Sequence, residues 1–385
     1  MLPQPYTSMD THRVTLGCFV LSALELLGVL DEVVSEKDRK DWIEWIYAQQ
    51  RTGFVPATTA NGKRTLPHPV EGIYGFAGGP FSGRPYFGEG EKAVAACEYN
   101  VYDSSHLTMT YVAIMTLVLL GDDLSRVDKE SILQSMRRLQ LPSGCFVPCV
   151  TDYQPDMRFV FCAAAVSHAL NDWSGVDREA MLSYIRSCQG YDFGIAQCPH
   201  QESHGGSMFC AIAALGLLGG EALHDQKTIL EQQQQQQQLG LDQAPLEAQL
   251  SRVGLLDKEA TIKWALMRQT TGFQGRVNKP TDTCYSFWIG ASLKTLGAFE
   301  HVDYDLNRGF LFETQHPAFG GFGKWVDTYP GKFLRVEHNV MHSYMGVAAM
   351  ALMGEPGLQP LDPLLNISCR TRERLERETV FWKKE

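Results

Sequence analysis

Positive charge is scarce in this chain. Lys and Arg total 34 against 44 Asp and Glu, a formal net charge of −10, so bulk attraction to nucleic acid is excluded and any anionic ligand must be held by a local cluster. Paired cysteines are missing too. The ten Cys follow no regular spacing and include no Cys-x-x-Cys, which argues against a disulfide-stapled secreted domain and for a reduced, intracellular setting. A long N-terminal apolar run is absent: Leu16 to Leu24, the longest there, stops at Glu25 and follows Asp10 instead of a basic segment. That speaks against a signal peptide or a membrane span, so a cytoplasmic protein is expected. No Gly-x-x-x-x-Gly-Lys-Ser/Thr loop occurs, so a nucleotide ligand is not implied.

What the chain has is a repeat. Gln50-Arg51-Thr52-Gly53-Phe54, Gln140-Leu141-Pro142-Ser143-Gly144-Cys145-Phe146 and Gln269-Thr270-Thr271-Gly272-Phe273 share a Gln, a short gap, a Gly and an aromatic, with looser copies at Gln189 to Gly194 and Gln315 to Phe322. An amphipathic segment precedes each, as at Trp42 to Tyr47, Ile132 to Leu139 and Ile262 to Met267. A polar opening then leads into a small-residue apolar helix, as at Met157 to Leu170, Phe209 to Leu218, Cys284 to Leu296 and Ser343 to Met353. The interval from Gln50 to Gln140 holds two units, the second containing Leu107 to Leu120. A Gln-rich insert at about residues 225–250 reads as a disordered surface loop; without it the period is near 48 residues. A two-helix repeat of that length predicts a solenoid or a closed ring. Polar outer and Ala/Gly-rich inner helices favour an all-α, six-fold α/α toroid, one domain over residues 1–385, with parallel inner helices around a funnel. Their N-termini would gather at one rim, where free N–H groups and partial positive charge attract anions.

The polar clusters fall at those helix starts: His106, Arg158, His204, Asp282 with Cys284, and His342. Asp, Cys and His with a fourth position open suit a catalytic zinc better than a structural one. Each residue alone has a plainer reading: Cys284 as a small buried hydrophobe, Asp282 as a helix cap, His342 as a core histidine. On spacing alone both readings stand. Arg276 and Lys279 could be a solvated pair, but His204 in Glu202-Ser203-His204-Gly205-Gly206-Ser207 adds a third cationic or donor group beside two glycines. Together they suit a diphosphate. Gly121-Asp122-Asp123-Leu124-Ser125 matches neither acidic pattern of terpene synthases and cyclases and reads as a helix-ending turn.

From about Tyr6 to the C-terminal region the chain resembles the β subunits of protein prenyltransferases, among their three kinds most closely the type I geranylgeranyl enzymes. Asn278-Lys279-Pro280-Thr281-Asp282-Thr283-Cys284-Tyr285-Ser286-Phe287-Trp288 carries most of the likeness. Gly121 to Arg126, Asp156-Met157-Arg158-Phe159-Val160 and Glu202 to Ser207 support it. The resemblance implies that Asp282, Cys284 and His342 hold Zn²⁺ and that a substrate cysteine supplies the fourth ligand. It implies that His204, Arg276, Lys279 and Tyr285 bind geranylgeranyl diphosphate, whose tail lies in an aromatic-lined funnel. Thr15 stands where the farnesyl enzyme has a Trp and would set lipid length. Lys324 stands where that enzyme has a magnesium-binding Asp, so Mg²⁺ would not be required.

By the same resemblance His106, Arg158 and Phe159 meet the C-terminal end of a CaaX protein ending mainly in Leu, such as a Rho-type small GTPase. An α subunit completes an obligate heterodimer. The chain departs from the pattern in three places. It starts close to the first inner helix, Thr108 replaces a smaller Ala in the last-residue pocket, and the connector Pro330 to His338 is longer than usual, which bears on where Lys324 sits. A farnesyl or Rab-type β subunit, or a toroid serving only as a binding scaffold, are the alternatives.

Overall fold

A computed structural model describes residues 4–51, 73–79, 105–149, 152–238, 246–250, 252–318, 320–326 and 340–383. In chain order its helices are α1 Arg13–Leu26, α2 Leu30–Val33, α3 Glu36–Tyr47, α4 Leu107–Leu119, α5 Lys129–Leu139, α6 Met157–Ala169, α7 Arg178–Ser187, α8 Gly205–Leu218, α9 Gln226–Gln238, α10 Leu246–Leu250, α11 Lys258–Leu266, α12 Thr283–Leu296, α13 Tyr304–Thr314, α14 Val340–Met353 and α15 Cys369–Glu378. Six of them close into a ring. Helix α1 packs on α4, α4 on α6, α6 on α8, α8 on α12, α12 on α14, and α14 back on α1. Helices apolar on every side belong in a core, and α4 buries every residue from Met109 to Leu119. The expected six-fold α/α toroid is observed.

The outer layer follows from amphipathic patterning. Helix α5 buries Ile132, Leu133, Met136 and Leu139 while Arg137 and Arg138 face solvent, one apolar stripe at helical spacing. Asp128, Asp177, Asp257 and Asp303 begin α5, α7, α11 and α13, each accepting a backbone N–H in the first turn.

The repeated Gln ties the exit of one outer helix to the entry of the next. Gln140, after α5, accepts from Asp177 N–H at 2.7 Å and donates to Asp177 C=O at 2.9 Å. Gln269 makes the same pair with Asp303, at 3.0 and 2.8 Å. Gln50 accepts from Asp128 N–H and donates to Arg126 C=O. Gln189 accepts from Leu256 N–H and donates to Thr261 Oγ1. An amide side chain offers donor and acceptor together, which is why Gln recurs.

The structure adds detail to the repeat units and to the insert. Phe54 lies outside the described residues; the described partner of Gln50 is Phe76, buried in the core. In the looser unit at Gln189 the plug is Ile195, while Tyr191 is fully exposed. The Gln-rich insert is not simply a loop, since residues 226–238 form α9 and 246–250 form α10. Gln is among the better helix formers, and buried Asp225 starts α9 by accepting from Thr228 N–H at 2.7 Å and from Lys258 N–H at 3.0 Å.

The end of the ring away from the helix starts is closed by the C-terminal segment. A hairpin, β1 Leu361–Asp362 with β2 Ile367–Ser368, brings its turn, with Leu365 buried, against the ring, where Tyr111 Oη donates to Leu365 C=O at 2.7 Å and Tyr344 Oη to Asn366 C=O at 2.6 Å. Arg374 Nη1 donates to the last carbonyls of α4, Val118 and Leu119, at 3.2 and 3.0 Å, a favourable place for a cation. Trp382 Nε1 reaches His168 C=O on α6 at 3.1 Å. Among the described residues no helix is long and apolar enough to cross a membrane.

Candidate active site

At the rim where they begin, the inner helices start alike. His106, Asp156, His204 and Asp282, all in extended conformation, cap α4, α6, α8 and α12 by accepting the N–H two residues on. For Asp282 the bond is from Cys284 N–H at 3.0 Å. Pro280 keeps the approach non-helical, so the carboxylate and the thiol are presented together from one first turn. His342 comes from the first turn of α14, the neighbour of α12 in the ring. One donor atom from each of Asp282, Cys284 and His342 lies within 4.8 Å of the other two, and all three residues are buried.

The electrostatics of this triad favour a cation. Burial, reinforced by the Asp282 carboxylate, pushes the Cys284 thiol well above its usual range. Burial also opposes ionisation of Asp282, but hydrogen bonds from His342 and from the Cys284 thiol and N–H outweigh it and hold the carboxyl low. Two potential anions in one buried corner need a positive centre between them. The donor set is that of a zinc site with its fourth position open. Asp282 Oδ1 is 3.3 Å from His342 Nε2, and Oδ2 is 3.8 Å from Lys324 Nζ. Lys324 therefore stands beside the triad, held by Thr283 N–H on its carbonyl at 2.9 Å and stacked 4.5 Å over Trp325. The connector at residues 330–338 lies outside the described residues.

The proposed diphosphate residues gather next door. His204 Nδ1 accepts from Gly206 N–H at 3.0 Å. In the neutral ring the proton is then on Nε2, which donates to Tyr285 Oη at 2.9 Å. Burial, with Arg276 nearby, lowers the His204 pKa and favours that neutral form. The Tyr285 hydroxyl proton is left for another acceptor. Gly275 allows this approach, since a Cβ there would collide with the Tyr285 ring. Arg276 reaches Glu202 at 3.0 Å across an exposed ion pair, an interaction worth little in water and easily exchanged for a more charged anion. Lys279 is exposed on the same loop, its N–H on Arg276 C=O at 3.3 Å.

The residues expected to meet a peptide's end sit at the starts of α4 and α6. His106 meets Phe159 edge-on at 5.8 Å, and Arg158 lies 5.8 Å from the same ring. Reading the sequence missed Arg158's anchor. Buried Asp156 takes both its Nε at 2.9 Å and its Nη2 at 2.6 Å, and Gln197 Nε2 at 2.5 Å. The acidic cap two residues before Arg158 was the available signal. Thr108 is also tied down, its Oγ1 accepting from the Cys162 thiol at 3.5 Å. Thr15 is apart from the rest, on α1, with Oγ1 donating to Met109 Sδ at 3.3 Å. Aromatic rings run from helix to helix beneath the rim: Tyr111 to Phe161 at 5.1 Å, Phe161 to Phe209 at 5.3 Å, Phe209 to Trp288 at 4.8 Å.

Comparison with known proteins identifies the family. The family model described as the prenyltransferase alpha-alpha toroid domain matches residues 1–367. The chain belongs to that family. Two relatives are the geranylgeranyl transferase type-1 β subunits of Arabidopsis thaliana, 36% identical over 95% of this chain and 85% of the relative, and of Dictyostelium discoideum, 35% identical over 96% and 91%. A farnesyltransferase β subunit of Pisum sativum is 31% identical but over only 50% of this chain. Among solved structures, Candida albicans protein geranylgeranyltransferase-I complexed with GGPP aligns with a TM-score of 0.72 over 100% of this prenyltransferase chain and 95% of that one, at 21% identity.

Proposed function

We propose that this chain is the catalytic β subunit of a zinc-dependent protein geranylgeranyltransferase type I. It transfers the C20 group of geranylgeranyl diphosphate to the cysteine thiol of proteins ending in CaaX, X mainly Leu, such as Rho-type small GTPases. The observation that carries this is the meeting of Asp282, Cys284 and His342 at the rim, beside the His204–Tyr285 pair. Asp282, Cys284 and His342 would hold the zinc, which when bound lowers a thiol's pKa so that the nucleophilic thiolate exists at neutral pH. The substrate sulfur bonds to C1 of the lipid, the C1–O bond breaks, and diphosphate leaves with the electron pair.

The protein's own residues act on that leaving group. The Tyr285 hydroxyl, oriented by His204, donates toward it, and Arg276 and Lys279 offset the charge that grows as the bond breaks. Lys324 adds a fixed ammonium near the triad, in a place where a divalent ion would otherwise serve, so added Mg²⁺ is not needed. The ring contacts from Tyr111 to Trp288 form an apolar wall for the isoprenoid, and His106, Arg158 and Phe159 receive the peptide's C-terminal end. In this reading the enzyme works in the cytoplasm as an obligate heterodimer with a helical α subunit.

The test is turnover by the co-expressed pair on C15 and C20 diphosphates with CaaL and CaaM peptides. C20 on CaaL should be the best combination and should vanish on chelation of zinc. Preference for C15 on CaaM would move the chain to the farnesyl branch. A complex with neither turnover nor stoichiometric zinc would leave only a binding scaffold.

A further inference from the structure

Thr15 and Met109 lie across the funnel from the diphosphate cluster. In the ring order α1, α4, α6, α8, α12, α14, helix α1 is opposite α8 and α4 is opposite α12. His204 caps α8 and Tyr285 is on α12, whereas Thr15 is on α1 and Met109 on α4. Packed helices sit about 8–10 Å apart, so opposite axes of a six-membered ring are about 16–20 Å apart. A lipid held by its head at α8 and α12 and crossing the funnel meets Thr15 and Met109 last.

The contact between them is unusual for a helical Thr. Such a hydroxyl commonly bonds the carbonyl four residues back, as Thr110 does to His106 at 3.1 Å and Thr295 to Ala291 at 2.9 Å. Thr15 instead donates to the Met109 sulfur on the neighbouring helix at 3.3 Å. That sulfur also lies close to Gly78, whose missing side chain leaves it room: a Cβ there would stand 3.0 Å from it. Methionine is unbranched and readily fills irregular space, so a released Met109 would swing into the room left by half-buried Thr15.

We propose that Thr15 selects lipid length through Met109 as well as through its own small size. Its hydroxyl is a positioning group that holds the thioether against α1, and Met109 is the wall that the far end of the lipid touches. This rests on the reading of Thr15 as the lipid-length residue.

The experiment compares the C20:C15 ratio of kcat/KM for the heterodimer carrying Thr15→Val, which keeps the shape and loses the donor. It is made in the wild-type and in the Met109→Leu background, with Thr15→Ser and Thr15→Trp alongside. Thr15→Val should lower the ratio about 2–10-fold beside Met109, the range of one hydrogen bond. It should change nothing once the sulfur is gone, and Thr15→Ser should stay near wild type with zinc content unchanged. An equal effect in both backgrounds, or none in either, overturns the proposal. If Thr15→Trp abolishes C20 use while Thr15→Val is silent, size alone decides and only the pinning falls. If Thr15→Trp is silent as well, the reading of Thr15 falls with it.

Discussion

Asp282 has two functions that one substitution can separate. Its Oδ1 caps α12 through Cys284 N–H at 3.0 Å and lies 3.3 Å from His342 Nε2. Asn caps a helix as well as Asp does, so Asp282→Asn should leave the stability of the zinc-free protein within about 1 kcal/mol of wild type. It removes the one anionic oxygen donor of the triad. Loss of a group that merely orients a ligand costs 10–100-fold in metal affinity, so loss of the ligand itself should cost about 100-fold or more. With zinc at 100 times the wild-type Kd, binding stabilises the fold by about 2.7 kcal/mol; for a site 100-fold weaker the same zinc contributes about 0.4 kcal/mol. The zinc-induced shift in unfolding free energy should therefore shrink by about 2.3 kcal/mol. The assay is denaturant unfolding of the heterodimer with and without zinc, with bound metal measured by mass spectrometry. Cys284→Ala, which spares the cap, should behave the same way. A full zinc shift in Asp282→Asn would refute the assignment.

Other consequences are as open to test. Gln140→Leu removes both bonds to Asp177 and should cost about 1–2 kcal/mol, with faster hydrogen exchange in the first turn of α7 than in α5; equal exchange would show that the stitch carries no load. Wild-type turnover should not respond to added Mg²⁺, and Lys324→Ala should lower kcat by about tenfold or more with zinc retained; a strict magnesium requirement in the wild type would count against the role given to Lys324. Burial, with His12 and Arg158 nearby, takes His106 from the ordinary 6.5 down to about 4. Between those values the unfolded chain binds a proton that the folded one refuses, so this contribution is complete above pH 6.5 and is lost as pH falls toward 4. His106→Asn keeps a cap and should remove that part of the acid sensitivity, read as the difference between the two stability–pH curves.

The ring and its rim could be read from residue order because both rest on local rules. Apolar runs beginning at a capping residue predict helices whose starts align, and Asp282, Cys284, His342 and His204 all stand at such starts. What could not be read depends on contacts distant in sequence. Gln50 has Phe76 as its strand partner, a pairing distant in sequence that no local spacing announces. Met109 looks like any core residue of an apolar helix, and only its packing on α1 gives it a neighbour in Thr15. The Gln tract misleads because composition speaks of solubility and says little about whether Asp225 can start a helix there.

The closure of the ring has a consequence for how the protein is made. Helix α1 is finished only by α14, and the far end of the barrel only by residues beyond Leu358. During synthesis, which runs from the N-terminus, the apolar inner helices must therefore wait with a seam unsealed until α14, the hairpin and α15 have emerged from the ribosome. Truncation before α15 should expose apolar surface to the cell, and a chaperone's protection matters most before those segments emerge.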